Sequence, residues 1–257
     1  MKIGLDAGHG LKTAGKQTPD GIKEWDLNDK VRDKVVKYLK DYDVEIIYTD
    51  KNEGNVDESL SERTSSYINK NVDVFVSIHH NALNGKWNNA TGVEVYVDKK
   101  YTSKDMKLAK AIYKNLPKYT CLKGRGIKKE NWYVINQNKI PAVLVEGGFM
   151  DGKNDYKVIT SANGQDGYAK AVAEGLISFL GLKKKKVATK TTTTTKTYKV
   201  KINTAVLNVR AGAGTKYKVN TTVKKNEVYT IVEEKNGWGK LKSGAGWISL
   251  AYTKKVK

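Results

Sequence analysis

A three-layer α/β domain followed by a small all-β barrel is what the sequence predicts, on three observations. Short β-branched runs alternate with amphipathic helical patterns through residues 1–182. Several of these runs are apolar on both faces, as in a twisted parallel or mixed sheet covered on both sides. A stretch dominated by two residue types, "KKKKVATKTTTTTK" (183–196), then gives way to short alternating runs with no helical stripe.

Strands are expected at "KIGLD" (2–6), "VEIIYT" (44–49), "VDVFVSI" (72–78), "GVEVYV" (92–97), "WYVI" (132–135) and "AVLVE" (142–146), each short and β-branched. Between the first two, residues 26–40 set Leu27, Val31, Val35, Tyr38 and Leu39 on one helical stripe. Residues 59–70 open with Ser59 and Glu62 at the spacing of a capping box. The stripe recurs over 105–116 with Met106, Ala109, Ile112, Tyr113 and Leu116, and again over 166–180 before Gly181 as a stop.

The Lys/Thr stretch cannot repay the entropy of ordering and reads as a flexible linker, giving domains at 1–182 and 198–257 with a linker at 183–197. Beyond it, "YKVKI", "LNVRA", "EVYTIVEE", "WGKLK" and "GWISL" are joined by Gly- or Asn-containing turns, the pattern of a small barrel.

The chain of 257 residues has 39 % hydrophobic and 29 % charged content, enough to bury a core in one ordinary domain and a small one. Its one cysteine excludes an internal disulfide framework, and Cys121 reads as buried filler rather than a nucleophile. "MKIGLDAGHG" is too short in apolar residues for a signal peptide, and no stretch approaches a membrane span. Residues 1–182 carry 28 Lys and Arg against 24 Asp and Glu, whereas 183–257 carry 19 against 3. The tail's partner is therefore expected to be polyanionic: nucleic acid, an anionic membrane or an anionic wall polymer.

Residues 10–16, "GLKTAGK", mimic a phosphate-binding loop, but Gln17 replaces the hydroxyl residue that would hold magnesium, and Pro19 and Gly21 oppose the required helix. The three histidines are more informative, because His9 follows one apolar run while His79 and His80 follow another. Strand ends are where ligands gather in open α/β sheets. A lone histidine there reads as a hydrogen-bonded loop residue ahead of a ligand, but the sharing of all three by two strand ends favours a metal. Glu24, in "KEWDLNDK", is the best third ligand, or else a carboxylate compensating a helix N-terminus. Glu146 closes a nearly all-apolar run before two glycines, which suits a proton-shuttling carboxylate, a fourth ligand or a structural ion pair.

At these residues the chain resembles the zinc-dependent N-acetylmuramoyl-L-alanine amidases of the amidase type 3 family. The resemblance runs in order through "LDAGHG", "KEWDLN", the Arg63 helix, "VDVFVSIHHNA" into "GVEVYV", "GRGIK" (124–128) and "PAVLVEGGFMDGKND" (141–155). It implies one zinc ion on His9, Glu24 and His79, Glu146 as the catalytic carboxylate, and Asn81, Arg125 and Trp132 around the substrate groove, the last three reading equally as a turn Asn, a surface Arg and a packed Trp. His80 falls where the family varies, and Ala7 stands where its opening usually has proline. The tail, through "LNVRAGAGTKY", "NGWGKL" and "GWISLAY", resembles bacterial SH3-type modules, with Tyr217, Trp238, Trp247 and Tyr252 as wall-binding aromatics or core.

The resemblance implies cleavage of the amide between N-acetylmuramic acid and the L-alanine of the stem peptide in bacterial peptidoglycan, with anionic wall polymers as a further partner. Two short modules and no recognised export signal look like a phage endolysin, made in the cytoplasm and released to the wall through a separate pore-forming protein. No nucleic-acid binding and no membrane insertion are expected, since the tail's aromatics lie in barrel-type motifs. The alternatives are a non-catalytic wall- or nucleic-acid-binding protein, and a zinc peptidase or deacetylase acting on another bond.

Overall fold

The computed structural model describes residues 1–50, 54–137, 139–185 and 197–256. The chain divides into two compact units, Met1–Lys185 and Lys186–Lys257. The expected linker lies mostly outside the described residues; at its start Lys184 bridges Tyr42, and the Lys185 amide donates to the Asp41 carbonyl at 2.7 Å.

The first unit is built on six strands, β1 (Lys2–Ala7), β2 (Glu45–Tyr48), β3 (Val74–Asn81), β4 (Val93–Val97), β5 (Gly124–Lys129) and β6 (Ala142–Phe149). Their order is β2-β1-β3-β6-β4-β5. All neighbours are parallel except β4 and β6, which are antiparallel, so the sheet is mixed. That reversal brings the start of β4 to the end of the sheet where β1, β3 and β6 finish.

Period-2 alternation sends the two sets of side chains to different layers. Val74, Val76, Ile78, Val93, Val95, Val143 and Val145 pack under α1 (Glu24–Leu39), α3 (Ser103–Tyr113) and α6 (Ala162–Leu180). Phe75, Tyr96, Ala142 and Leu144 turn to the other face, under Tyr67 of α2 (Leu60–Asn69) and under Trp132, Val134 and Ile135. The capping box opening α2 is formed, with Ser59 and Glu62 exchanging hydrogen bonds. Gly181 ends α6 at φ 60°.

Segment 132–135 corrects the sequence reading, because it is a turn and not a strand. The amide of Ile135 donates to the Trp132 carbonyl at 3.0 Å, and its apolar residues cover the second face of the sheet as a helix would. Strand β5 and the short helices α4 (Leu116–Thr120) and α5 (Lys153–Ile159) were not anticipated. Cys121 is not buried filler either: it is exposed, capping α4 in the left-handed conformation at φ 58°.

The second unit is a seven-stranded antiparallel sheet ordered β13-β7-β10-β11-β12-β8-β9. Its strands are β7 (Tyr198–Ile202), β8 (Val206–Arg210), β9 (Val219–Lys224), β10 (Val228–Lys235), β11 (Trp238–Leu241), β12 (Trp247–Ser249) and β13 (Thr253–Val256). Its core is aliphatic, from Val200, Ile202, Leu207, Val209, Val223, Ile231, Leu241 and Ile248.

Candidate active site

The ends of β1, β3 and β6 and the first residue of α1 bring four chemistry-bearing side chains together. His9 lies two residues past β1 with φ 65°, a left-handed conformation that histidine tolerates better than most residues. Its carbonyl is held by the Arg63 guanidinium at 2.6 Å, which also bonds Asp6 at 2.7 Å and the Ala7 carbonyl at 2.9 Å. Asp6 is buried and also accepts from Thr49 at 2.7 Å and Ser77 at 2.6 Å. Burial pushes its carboxyl up, but Arg63 and the two hydroxyls more than offset this and hold it below its ordinary value.

Glu24 begins α1 and is buried. One oxygen stands 3.0 Å from His79 Nδ1, the other 3.3 Å from His9 Nε2, and the two imidazoles meet edge to face with centroids 4.8 Å apart. One ligand atom from each of His9, Glu24 and His79 lies within 4.8 Å of the others, a donor set that could hold a divalent cation. Burial pushes Glu24 up, yet His79, His9 and Lys16 bring it down to about 2, so it is a carboxylate. Burial also outweighs the pull of Glu24 on His9 and leaves that imidazole at about 4, neutral and with a free lone pair near neutral pH.

His80 points away from this cluster, as strand alternation requires. Its ring is buried between Asn28, whose Oδ1 is 2.8 Å from Nδ1, and Tyr168, edge-on at 5.5 Å. Asn28 in turn donates to the Gly8 carbonyl at 3.1 Å. His79 alone of the pair shares the face of Phe75 and Leu144.

Glu146 is the register partner of His79 across β3 and β6. It is buried, and among the described residues no hydrogen-bond partner reaches its Oε2. Burial first, then the nearby charges of Glu24 and Glu94, push its carboxyl well up. With His9, His79, Lys16, Leu60, Trp132 and Val134 it lines a cavity of about 360 Å³.

The family model for N-acetylmuramoyl-L-alanine amidase matches residues 3–178, and that for the bacterial SH3 domain matches residues 205–254. The chain belongs to the N-acetylmuramoyl-L-alanine amidase family.

This amidase is 35 % identical over 190 residues to an endolysin of Bacillus phage SPP1, a match spanning 71 % of this chain and 67 % of the endolysin. It is 30 % identical to the N-acetylmuramoyl-L-alanine amidase LytC of Bacillus subtilis over 69 % of this chain and 35 % of LytC. The crystal structure of an N-acetylmuramoyl-L-alanine amidase from Clostridium difficile 630 superposes with a TM-score of 0.65 at 28 % identity, covering 70 % of this chain and 96 % of that one.

Of the residues expected around the amidase groove, Trp132 lines the cavity and packs on Tyr96 with ring centroids 4.3 Å apart. Asn81 and Arg125 instead converge on a residue the sequence reading passed over, Glu94, with contacts of 2.6 and 3.0 Å. Lys128 reaches the same carboxylate. The signal was available: Glu94 is a charged residue inside "GVEVYV", as unusual there as Glu146 is in "AVLVE".

In the SH3-type unit, Trp238 and Tyr252 line one cavity of about 560 Å³ with Val206, Asn208, Arg210 and Thr215. Tyr217 and Trp247 do not line it. Tyr217 packs beside Gly212, and Trp247 pairs with Arg210 across β12 and β8. None of the four belongs to the buried core.

Proposed function

We propose that this peptidoglycan amidase works with one zinc ion held by His9, Glu24 and His79, that Glu146 moves the proton, and that the SH3-type unit keeps the enzyme on the wall. Its reaction is hydrolysis of the amide between the lactyl group of N-acetylmuramic acid and L-alanine. The observation that carries the reading is the convergence of two imidazoles and one carboxylate beside a buried carboxyl with an unpartnered oxygen.

The donor set would fit zinc in kind and number, two nitrogens and one oxygen, the three protein ligands of a catalytic rather than a structural site. Zinc bound there supplies Lewis acidity toward the scissile carbonyl and makes water a stronger acid and nucleophile. Glu146 takes a proton from the attacking water as the carbon–oxygen bond forms. It returns that proton to the departing amine of L-alanine as the carbon–nitrogen bond breaks. A carboxyl raised by burial suits both halves of that exchange. Leu60, Trp132 and Val134 supply apolar walls beside the reacting groups.

Trp238 and Tyr252 are the aromatics favoured for wall contact, since they share a cavity, while the excess of Lys and Arg after residue 182 attracts anionic wall polymers. Among the described residues no helix is long and apolar enough to cross a membrane. The likeness to a phage endolysin is what supports delivery to the wall through a separate pore-forming protein.

Mass analysis of digested walls tests the reaction: new N-terminal L-alanine and intact glycan are expected. Chelation should stop the release and zinc should restore it. Cleavage of a glycosidic or peptide bond, or activity indifferent to chelators, would sink the reading.

A further inference from the structure

We infer that Arg125 and Lys128, held side by side by buried Glu94, form a clamp for a substrate carboxylate, that of the stem-peptide residue following L-alanine. The clamp presupposes the amidase reading above and adds to it a determinant of substrate choice.

Glu94 on β4 is the register partner of Glu146 on β6. Antiparallel partners share a face, with Cα atoms about 4.5–5.5 Å apart. The Glu94 carboxylate is buried and crowded with donors: Asn81 at 2.6 Å and the Tyr96 hydroxyl at 3.1 Å on one oxygen, Arg125 at 3.0 Å and Lys128 on the other. One anion facing two cations leaves a unit of positive charge beside Glu146.

Both cations keep donors for a ligand. Arg125 spends Nε on Glu94 and Nη1 on the Thr91 carbonyl at 3.4 Å, out of five N–H groups, and an ammonium has three. Each side chain is 36 % exposed, so its head is reachable although its partner is buried. Both are stiffened by rings, the guanidinium 5.0 Å from the centre of Phe149 and Lys128 Nζ 5.8 Å from that of Tyr96. Burying a carboxylate is costly, and here it fixes the spacing of two cations next to the reacting bond.

The substrate offers a matching anion. The carboxylate on the residue after L-alanine lies about two residues from the scissile carbonyl, roughly 7 Å along an extended chain. Arg125 and Lys128 start on β5, two strands or about 9.4–9.8 Å from the strand of Glu146, and their long side chains reach back to Glu94, one strand from it. A carboxamide at that position has no charge to meet the pair.

The test uses the full-length, zinc-loaded protein and two soluble disaccharide–tripeptides that differ only in carrying a carboxylate or a carboxamide on the second peptide residue. The carboxylate substrate should have a kcat/KM at least tenfold higher, mainly through KM, and Arg125→Gln or Lys128→Gln should each shrink that ratio at least fivefold while Lys128→Arg preserves it. A parent without preference overturns the clamp, as do Gln variants that melt like the parent and keep its ratio. The parent ratio needs no variant, so a Gln variant that fails to fold still leaves the clamp open to refutation. Equal cleavage of both substrates at the amide overturns the clamp alone; cleavage of neither overturns the amidase reading with it.

Discussion

A Cβ atom on Gly8 would stand 2.1 Å from the ring of His79, closer than any side chain can approach. The glycine of "DAGHG" therefore serves a residue 71 positions away: it clears the space in which that imidazole faces Glu24.

Gly8→Ala should fold, because the obstructed group is a side chain that can swing aside, but it should weaken zinc binding about 10–100-fold. Calorimetric zinc titration beside a thermal melt checks this. Unchanged affinity would mean that His79 does not need its present position.

Glu146→Gln should keep zinc and lose turnover by about 10²–10⁴-fold. It should also make the zinc-free protein more stable at pH 7.5. A carboxyl raised above its ordinary 4.5 contributes stability below that value and loses it as pH rises toward its folded-state pKa. The advantage of Gln should therefore vanish at pH 4. Urea titrations at the two pH values would contradict the assignment if the gap were the same at both.

Arg63→Met should destabilise the first unit by about 3–5 kcal/mol, since it leaves the buried Asp6 charge without its cation. Asp6 lies below its ordinary 3.8, so the stability it brings is present above that pH and is lost as pH falls through its lower folded value. Denaturant melts should show the parent's lead narrowing below about pH 4. Loss of the bond to the His9 carbonyl should weaken zinc binding in the same variant.

Tyr252→Ala should lower the fraction of full-length protein that sediments with purified walls, and the cleavage rate of soluble fragments should stay at the parent level. Tyr252 is 53 % exposed, so its removal leaves no cavity in the aliphatic core. Undiminished sedimentation would move the wall contact elsewhere on this unit.

Much of the fold was legible because its code is local. Leu27, Val31, Val35 and Leu39 recur at helical spacing and are all buried, and the Ser59–Glu62 pair makes the capping box its spacing announced. The segment 132–135 misled for a related reason. An apolar β-branched run states that a surface is to be covered, and neighbouring elements decide whether it does so as a strand or as a turn. Strand β5 was missed because "GRGIKK" pairs through its backbone while its side chains are half-exposed and basic.

The sequence by itself determined an α/β domain with a small all-β companion and drew attention to His9, His79, His80, Glu24 and Glu146, since strand ends and unusual polar residues can be read from order alone. The amidase and SH3 readings, and His79 rather than His80 as ligand, came from the resemblance of its motifs to those families. Only the tertiary structure decided that Glu94 stands beside Glu146, that Asn81, Arg125 and Lys128 converge on it, and that Gly8 makes room for His79. Those relations arise from the antiparallel turn of β4 within an otherwise parallel set and from the register of β3 on β6. Register is fixed by packing between segments far apart in the chain, so no local pattern records it.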